Sequence, residues 1–167
     1  MKSLLLAIII LSLACTSCAK TDYIDILVTK VFDGDTLRLA NGEKVRLIGI
    51  DAPEMYESDK LFKDVQRTGE DIETIMAKGR ESYKFTKKLV DGRRVILEFD
   101  VEKRDKYGRL LAHVFIKDTQ LFLNAEIIKQ GYAEVMIIPP NLKYGDYFQE
   151  LYYEARENKR GLWGNTR

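Results

Sequence analysis

Beyond Cys18 the chain carries no cysteine, and its only histidine is His113. Residues 19–167 therefore have no disulfide framework, no zinc–thiolate site and no cysteine nucleophile, so a fold of this length must be held by an apolar core alone. A Ser-His-Asp triad or a histidine-rich metal centre would have to rest entirely on His113. What remains for chemistry is carboxylates, arginines and metals that prefer oxygen. The chain's 167 residues suit one domain, and 46% hydrophobic with 32% charged residues exclude disorder, collagen and coiled coil. Lysine and arginine number 27 against 26 acidic residues, so no uniform positive field clamps a polyanion and any contact with one must be local.

Both cysteines close an apolar N-terminal run. Met1-Lys2 followed by Leu4 to Ala14 is too short to span a bilayer, which takes about 20 residues, and has the form of an export signal. Thr16-Ser17-Cys18 resembles the end of a bacterial lipoprotein signal, in which Cys18 is lipidated, with Cys15 as the alternative acceptor and ordinary secretory cleavage as the plainer reading. The expected organisation is a signal at 1–18 and one domain at 19–167, exported and either anchored to a membrane or released.

Along that domain, residues 24–32, 36–39 and 44–50 read as strands, with Asn41-Gly42 as a type I′ hairpin turn between the last two. Residues 93–101 and 110–117 form a second strand pair. Helices are expected at about 70–90 (with Ile72, Ile75, Met76, Tyr83 and Val90 near one face), 121–130 and 144–158. Early strands, one inserted helix and trailing helices make an α+β pattern. A five-stranded OB-fold barrel with about three helices is the economical solution, although periodicity admits other small barrels.

Charge concentrates where strands and turns do not ask for it. Asp33-Gly34-Asp35-Thr36 precedes one hairpin arm, Arg46 lies in the other, and Asp51-Ala52-Pro53-Glu54 follows it. Pairing of the arms can bring Asp35 and Asp51 together, and two adjacent carboxylates need a cation. With no histidine or thiolate the matching ion is hard, calcium or magnesium, and Pro53 holds Ala52 extended so that its carbonyl can join. Arg46 has the opposite strand parity to Asp51, so it reaches the pair only if the strand bends or bulges. Glu54 is the remaining candidate base for a water. Asp105-Lys106-Tyr107-Gly108-Arg109 is a second charged turn.

These motifs, with Val45 to Glu54, Phe85 to Val90, Asp105 to Ala112 and Leu123-Asn124-Ala125-Glu126 through Gln130-Gly131, resemble the staphylococcal nuclease (thermonuclease) family over about residues 26–163. The resemblance implies an OB-fold and calcium-dependent hydrolysis of DNA and RNA, leaving 3′-phosphates. It further implies Asp35, Asp51 and the Ala52 carbonyl as calcium ligands, Arg46 and Arg109 on the scissile phosphate, Glu54 as catalytic carboxylate, and Lys106 and Tyr107 on a terminal phosphate. Residues 135–141 lack the tyrosines of the family's base pocket, so base stacking is either weaker here or supplied by Tyr132 or Tyr144. The stretch 55–80 is longer than in the archetype, and within residues 60–94 ten basic residues face six acidic ones. His113 and Trp163 read as packing residues. The alternatives are an OB-fold that binds single strands or a protein without cutting, and a structural surface lipoprotein. The protein is expected to act as a monomer.

Overall fold

The computed structural model describes residues 23–165; the N-terminal run with Cys15 and Cys18 lies outside them. Five strands close a barrel in the order β1 (Ile26–Val31), β2 (Thr36–Leu39), β3 (Lys44–Leu47), β6 (Leu110–Ile116), β5 (Arg94–Glu98). All neighbours run antiparallel except β3 and β6, which are parallel. Inward residues alternate along β2, β3, β5 and β6: Leu37 and Leu39, Val45 and Leu47, Val95 and Leu97, then Leu110, Ala112, Val114 and Ile116 are buried. Helices α3 (Leu123–Lys129) and α4 (Gly145–Glu157) cap this core with Leu123, Ile127, Ile128, Phe148 and Leu151. The α+β barrel expected from the sequence is the fold observed.

Several local expectations change. The 44–50 segment is two strands, because Gly49 adopts a φ of +83° and the chain turns away at Ile48 to form β4 (Gly49–Asp51), which pairs with β7 (Glu134–Met136). A side chain at Gly49 would also strike the Phe148 ring at 2.3 Å. The break is held by Asn124, buried on α3, whose amide donates to the Ile48 carbonyl and whose oxygen accepts from the Val114 N–H. The hairpin turn is not type I′: Gly42 N–H donates to the Leu39 carbonyl, and Gly42, not Asn41, takes the positive φ, giving a longer connection.

The long 55–80 stretch supplies a fourth α-helix, α1 (Asp59–Thr68), N-capped by the Ser58 hydroxyl and ended by Gly69 in the left-handed region. Helix α2 (Ile72–Val90) buries Ile75, Gly79, Ser82, Thr86 and Val90, a smaller and more polar stripe than the apolar periodicity suggested. Ile72 stays partly exposed, and Tyr83 covers only the edge of the core. Small side chains let this helix lie directly against the loops that carry the site. Among the described residues no helix is long and apolar enough to cross a membrane.

Candidate active site

The turn Asp33–Asp35 enters β2 from the open end of the barrel. The Asp35 N–H donates to Asp33 Oδ1, and Asp35 Oδ1 accepts from the Thr36 hydroxyl. The turn is pressed onto α2: Thr86 donates its hydroxyl hydrogen to the Gly34 carbonyl, and a Cβ at Gly34 would fall 2.1 Å from Ser82 Oγ and 2.5 Å from Ala52 Cβ. Asp35 Oδ2 in turn accepts from the Ala52 N–H at 2.8 Å. The turn before β2 and the turn after β4 are therefore joined by a carboxylate across seventeen residues of sequence.

Arg46 leaves the outer face of β3 between them. Its guanidinium pairs with Asp35 and reaches Asp51 Oδ1 at 2.8 Å. The strand break at Gly49 is what defeats simple alternation and brings residues 46 and 51 to one side. All three side chains are largely buried. Burial would lower the Arg46 pKa, but Asp35, Asp51 and Asp33 outweigh it and hold it raised. Burial pushes Asp51 up despite Lys60 and Arg46. Burial and the Asp35 carboxylate together push Asp33 up to about 7.

Glu54 stands beyond Pro53, about a quarter exposed, its carboxyl raised by burial against the lowering influence of Lys60. Its backbone rests on α2, since a Cβ at Gly79 would lie 2.3 Å from the Glu54 carbonyl oxygen.

Lys60 is the participant that sequence reasoning missed. From the first turn of α1 its ammonium donates to the Ala52 carbonyl at 3.1 Å and Asp64 Oδ2 at 3.1 Å, and stands 3.3 Å from Asp51 Oδ2 and 3.6 Å from Glu54 Oε1. Burial would lower its pKa, yet Asp51, Asp64 and Glu54 keep it raised. Asp64, also buried, was missed as well; the i,i+4 spacing of Lys60 and Asp64 behind the Ser58 cap was the signal available.

Among the described residues no three His, Cys, Asp or Glu side chains gather as a metal cluster. The donor set is instead two aspartates, Asp35 and Asp51, plus the Ala52 carbonyl, with Glu54 alongside. It consists of hard oxygens only, and five carboxylates (Asp33, Asp35, Asp51, Glu54, Asp64) surround two cations, Arg46 and Lys60. The Lys60 ammonium, gripping the carbonyl and both flanking carboxylates, is an internal stand-in for a cation. The chemistry fits calcium better than any softer metal.

Arg109 lies across a cleft that it shares with Arg46, Lys106, Tyr107, Met136 and Ile138. Asp105 fixes it, accepting from its Nε at 2.7 Å and from its backbone N–H at 3.0 Å. Tyr107 is exposed, with Lys106 Nζ 5.1 Å and the Arg109 guanidinium 5.5 Å from its ring centre. Neither candidate tyrosine for base stacking lines this cleft. Tyr132 stacks on Phe85 at 4.2 Å and Tyr144 packs in a cluster with His113 and Phe122, so the wall is Met136 and Ile138 instead. His113 is buried in that cluster, and neither ring nitrogen finds a hydrogen-bond partner among the described residues. It is structural, as is Trp163, packed edge-on against Tyr152.

This is an OB-type architecture: a closed five-stranded barrel with two aspartates, an arginine and a glutamate gathered at one end and a second arginine across a cleft. The chain belongs to the staphylococcal nuclease homologue family, whose model matches residues 44–165. It is 38% identical over 146 residues to an uncharacterized protein, MJ1439, of Methanocaldococcus jannaschii, covering 81% of this chain and 70% of that one. It is 35% identical over 140 residues to a thermonuclease of Staphylococcus intermedius, covering 82% and 74%. It is also 33% identical over 148 residues to endonuclease YncB of Bacillus subtilis, covering 86% and 63%.

Proposed function

We propose that this protein is a calcium-dependent nuclease that hydrolyses phosphodiester bonds of DNA and RNA and leaves 3′-phosphates. The observation that carries the reading is the convergence of Asp35, Arg46, Asp51 and Glu54 on one spot, drawn from two turns by a strand break. Similarity to a thermonuclease and to endonucleases supports it.

Asp35, Asp51 and the Ala52 carbonyl would hold Ca²⁺, which when bound polarises a phosphoryl oxygen as a Lewis acid. Arg46 and Arg109 approach from β3 and from the 105–109 turn, and their forks match the equatorial oxygens on which charge accumulates. Glu54, raised by burial, is suited to taking a proton from the attacking water at a carboxylate oxygen. Asp105 keeps Arg109 aimed, and Asp33 keeps the Asp35 backbone in its turn. Lys106 and Tyr107, which line the same cleft, would meet a terminal phosphate.

The N-terminal run supports export, with Cys18 as the acceptor of a lipid that tethers the enzyme to a membrane as a monomer. Partition of the full chain into detergent, lost in Cys18→Ser, tests the anchor. Degradation of plasmid and of RNA with and without EGTA tests the function: cleavage is expected only with calcium, and full activity in excess chelator would reject the metal assignment. Asp51→Ala should abolish both cleavage and the calcium-induced rise in Tm.

A further inference from the structure

Three basic residues line up across the outer face of the barrel with no acidic partner. Lys30 on β1 pairs in register with Arg38 on β2, and Arg38 with Lys44 on β3. All three are exposed, and none makes an ion pair among the described residues, whereas most other arginines of the domain do. Like charges set directly opposite one another weaken a sheet, so the row works against the fold that carries it. All three converge on one aromatic side chain. Lys30 Nζ, the Arg38 guanidinium carbon and Lys44 Nζ stand 4.9, 5.1 and 5.1 Å from the centre of the half-buried Phe32 ring.

A bulge builds this arrangement. The β1–β2 register slips between Val28 and Lys30, so Thr29 is the extra residue. Simple alternation from buried Val28 would turn Lys30 into the core; after the slip Lys30 faces out and Val31 returns inward. The patch also touches the site. Phe32 is the residue before the Asp33–Asp35 turn, Thr36 pairs with Arg46, and Lys44 lies two residues before Arg46 on the same face of β3, a spacing of about 7 Å.

We propose that this face of β1–β2–β3 is a platform for a single-stranded stretch of the nucleic acid being cut, stacking one base on Phe32 and gathering neighbouring phosphates on Lys30, Arg38 and Lys44. The proposal rests on the nuclease reading. Unpaired cations beside an aromatic ring are the combination that single strands favour, because every unstacked base offers a π-face and every linkage a phosphate. A duplex hides its bases and would use only the charges. The long basic side chains can swing from the ring onto phosphates as a base replaces them. In a protein whose formal net charge is only +1, this local row supplies the capture that the net charge does not.

The test measures binding of the full chain to a fluorescent twelve-nucleotide oligo-dT in EGTA, by anisotropy across a salt series. Lys30→Gln/Arg38→Gln/Lys44→Gln should weaken binding about tenfold or more and flatten the slope of log K against log salt by roughly two, at about 0.7 per phosphate contact on a single strand. Its Tm should be unchanged or higher, since like-charge opposition is relieved. Phe32→Leu should weaken binding several-fold with no change in slope. Wild-type affinity and slope in the triple variant would overturn the platform, as would a duplex of the same length bound more tightly than the single strand. So would a triple variant that loses binding to phosphatidylglycerol vesicles while keeping the oligonucleotide, for the face would then meet a membrane. If the wild type binds as expected but leaves plasmid and RNA intact with calcium, the nuclease reading fails while the platform stands.

Discussion

The open end of the barrel and the outer face of β1–β2–β3 both concentrate charge, and they do so in opposite ways. At the open end every cation is answered: Arg46 by Asp35 and Asp51, Lys60 by Asp51, Asp64, Glu54 and a carbonyl. On the outer face Lys30, Arg38 and Lys44 answer one another and a ring. Paired charges in a buried setting hold positions to within a hydrogen-bond length, which is what a reaction needs. Unpaired charges in solvent hold no geometry, but they remain available to a passing polyanion. On the proposed reading, the difference would separate chemistry from capture within one small sheet.

The sharpest way to break this comparison is at the site. Glu54→Gln keeps the size and hydrogen-bonding reach of the side chain but cannot take up a proton, and kcat should fall by roughly 10²–10⁴-fold, with Tm close to wild type. Near-normal kcat in a folded variant would remove Glu54 from the mechanism.

Arg109→Lys keeps the charge and loses the fork. If Arg109 belongs with the paired, positioned charges, kcat should fall about 10²-fold while KM moves little; a KM effect alone would assign it to capture instead.

Buried His113 extends the contrast to the core, where an unpartnered polar group is neither answered nor solvated. Burial lowers its pKa to about 4 from an ordinary 6.5. A depressed histidine pKa means that the neutral form fits the fold. Its contribution is fully present above about pH 6.5 and is lost as pH falls from there toward 4, by up to about 3 kcal/mol. Glu98 and Asp100 soften the effect and Lys143 adds to it. Urea melts at pH 7 and pH 4.5 should show His113→Leu less acid-sensitive than wild type, whatever its stability at pH 7.

The smallest effect falls on Lys60. Lys60→Met keeps the stem and removes the internal cation, so calcium binding read by calorimetry should tighten several-fold, by up to about tenfold for one charge near a partly screened site. Weaker binding would show that Lys60 supports the oxygen set rather than competing for it.

The barrel was legible because most of its strands alternate apolar with polar residues and its turns are punctuated by glycine. Asp35, Asp51, Glu54 and Arg109 were legible because chemistry-bearing residues flank the ends of strands. Arg46 stayed open, since one positive φ at Gly49 decides its face and periodicity does not register a single dihedral. Lys60 and Asp64 were hidden in a stretch whose apolar content is too low to announce a helix; only the Ser58 cap and the Gly69 stop mark α1. The choice between weaker stacking and a stacking tyrosine stayed open in the sequence, because Tyr132 and Tyr144 are drawn into contacts with Phe85 and His113 that no local pattern foretells. The bulge at Thr29 was invisible for the same reason as Gly49: a one-residue slip leaves composition untouched and exchanges inside for outside.

Helix α2 touches both halves of the site through small residues a turn apart. Gly79 lies against the Glu54 backbone, while Ser82 and Thr86 bear on Gly34 in the turn that carries Asp35. One rod thus serves as the common datum from which two loops far apart in sequence are measured. Were the helix to rock against the barrel, both loops would ride with it, and the span between them would be conserved while their place in the molecule would not. Heat should therefore blur where the site is before it blurs what the site is. Enlarging Gly79 or Gly34 would act differently from loosening the helix, displacing one loop against the other and detuning the site in a domain that still melts as a unit.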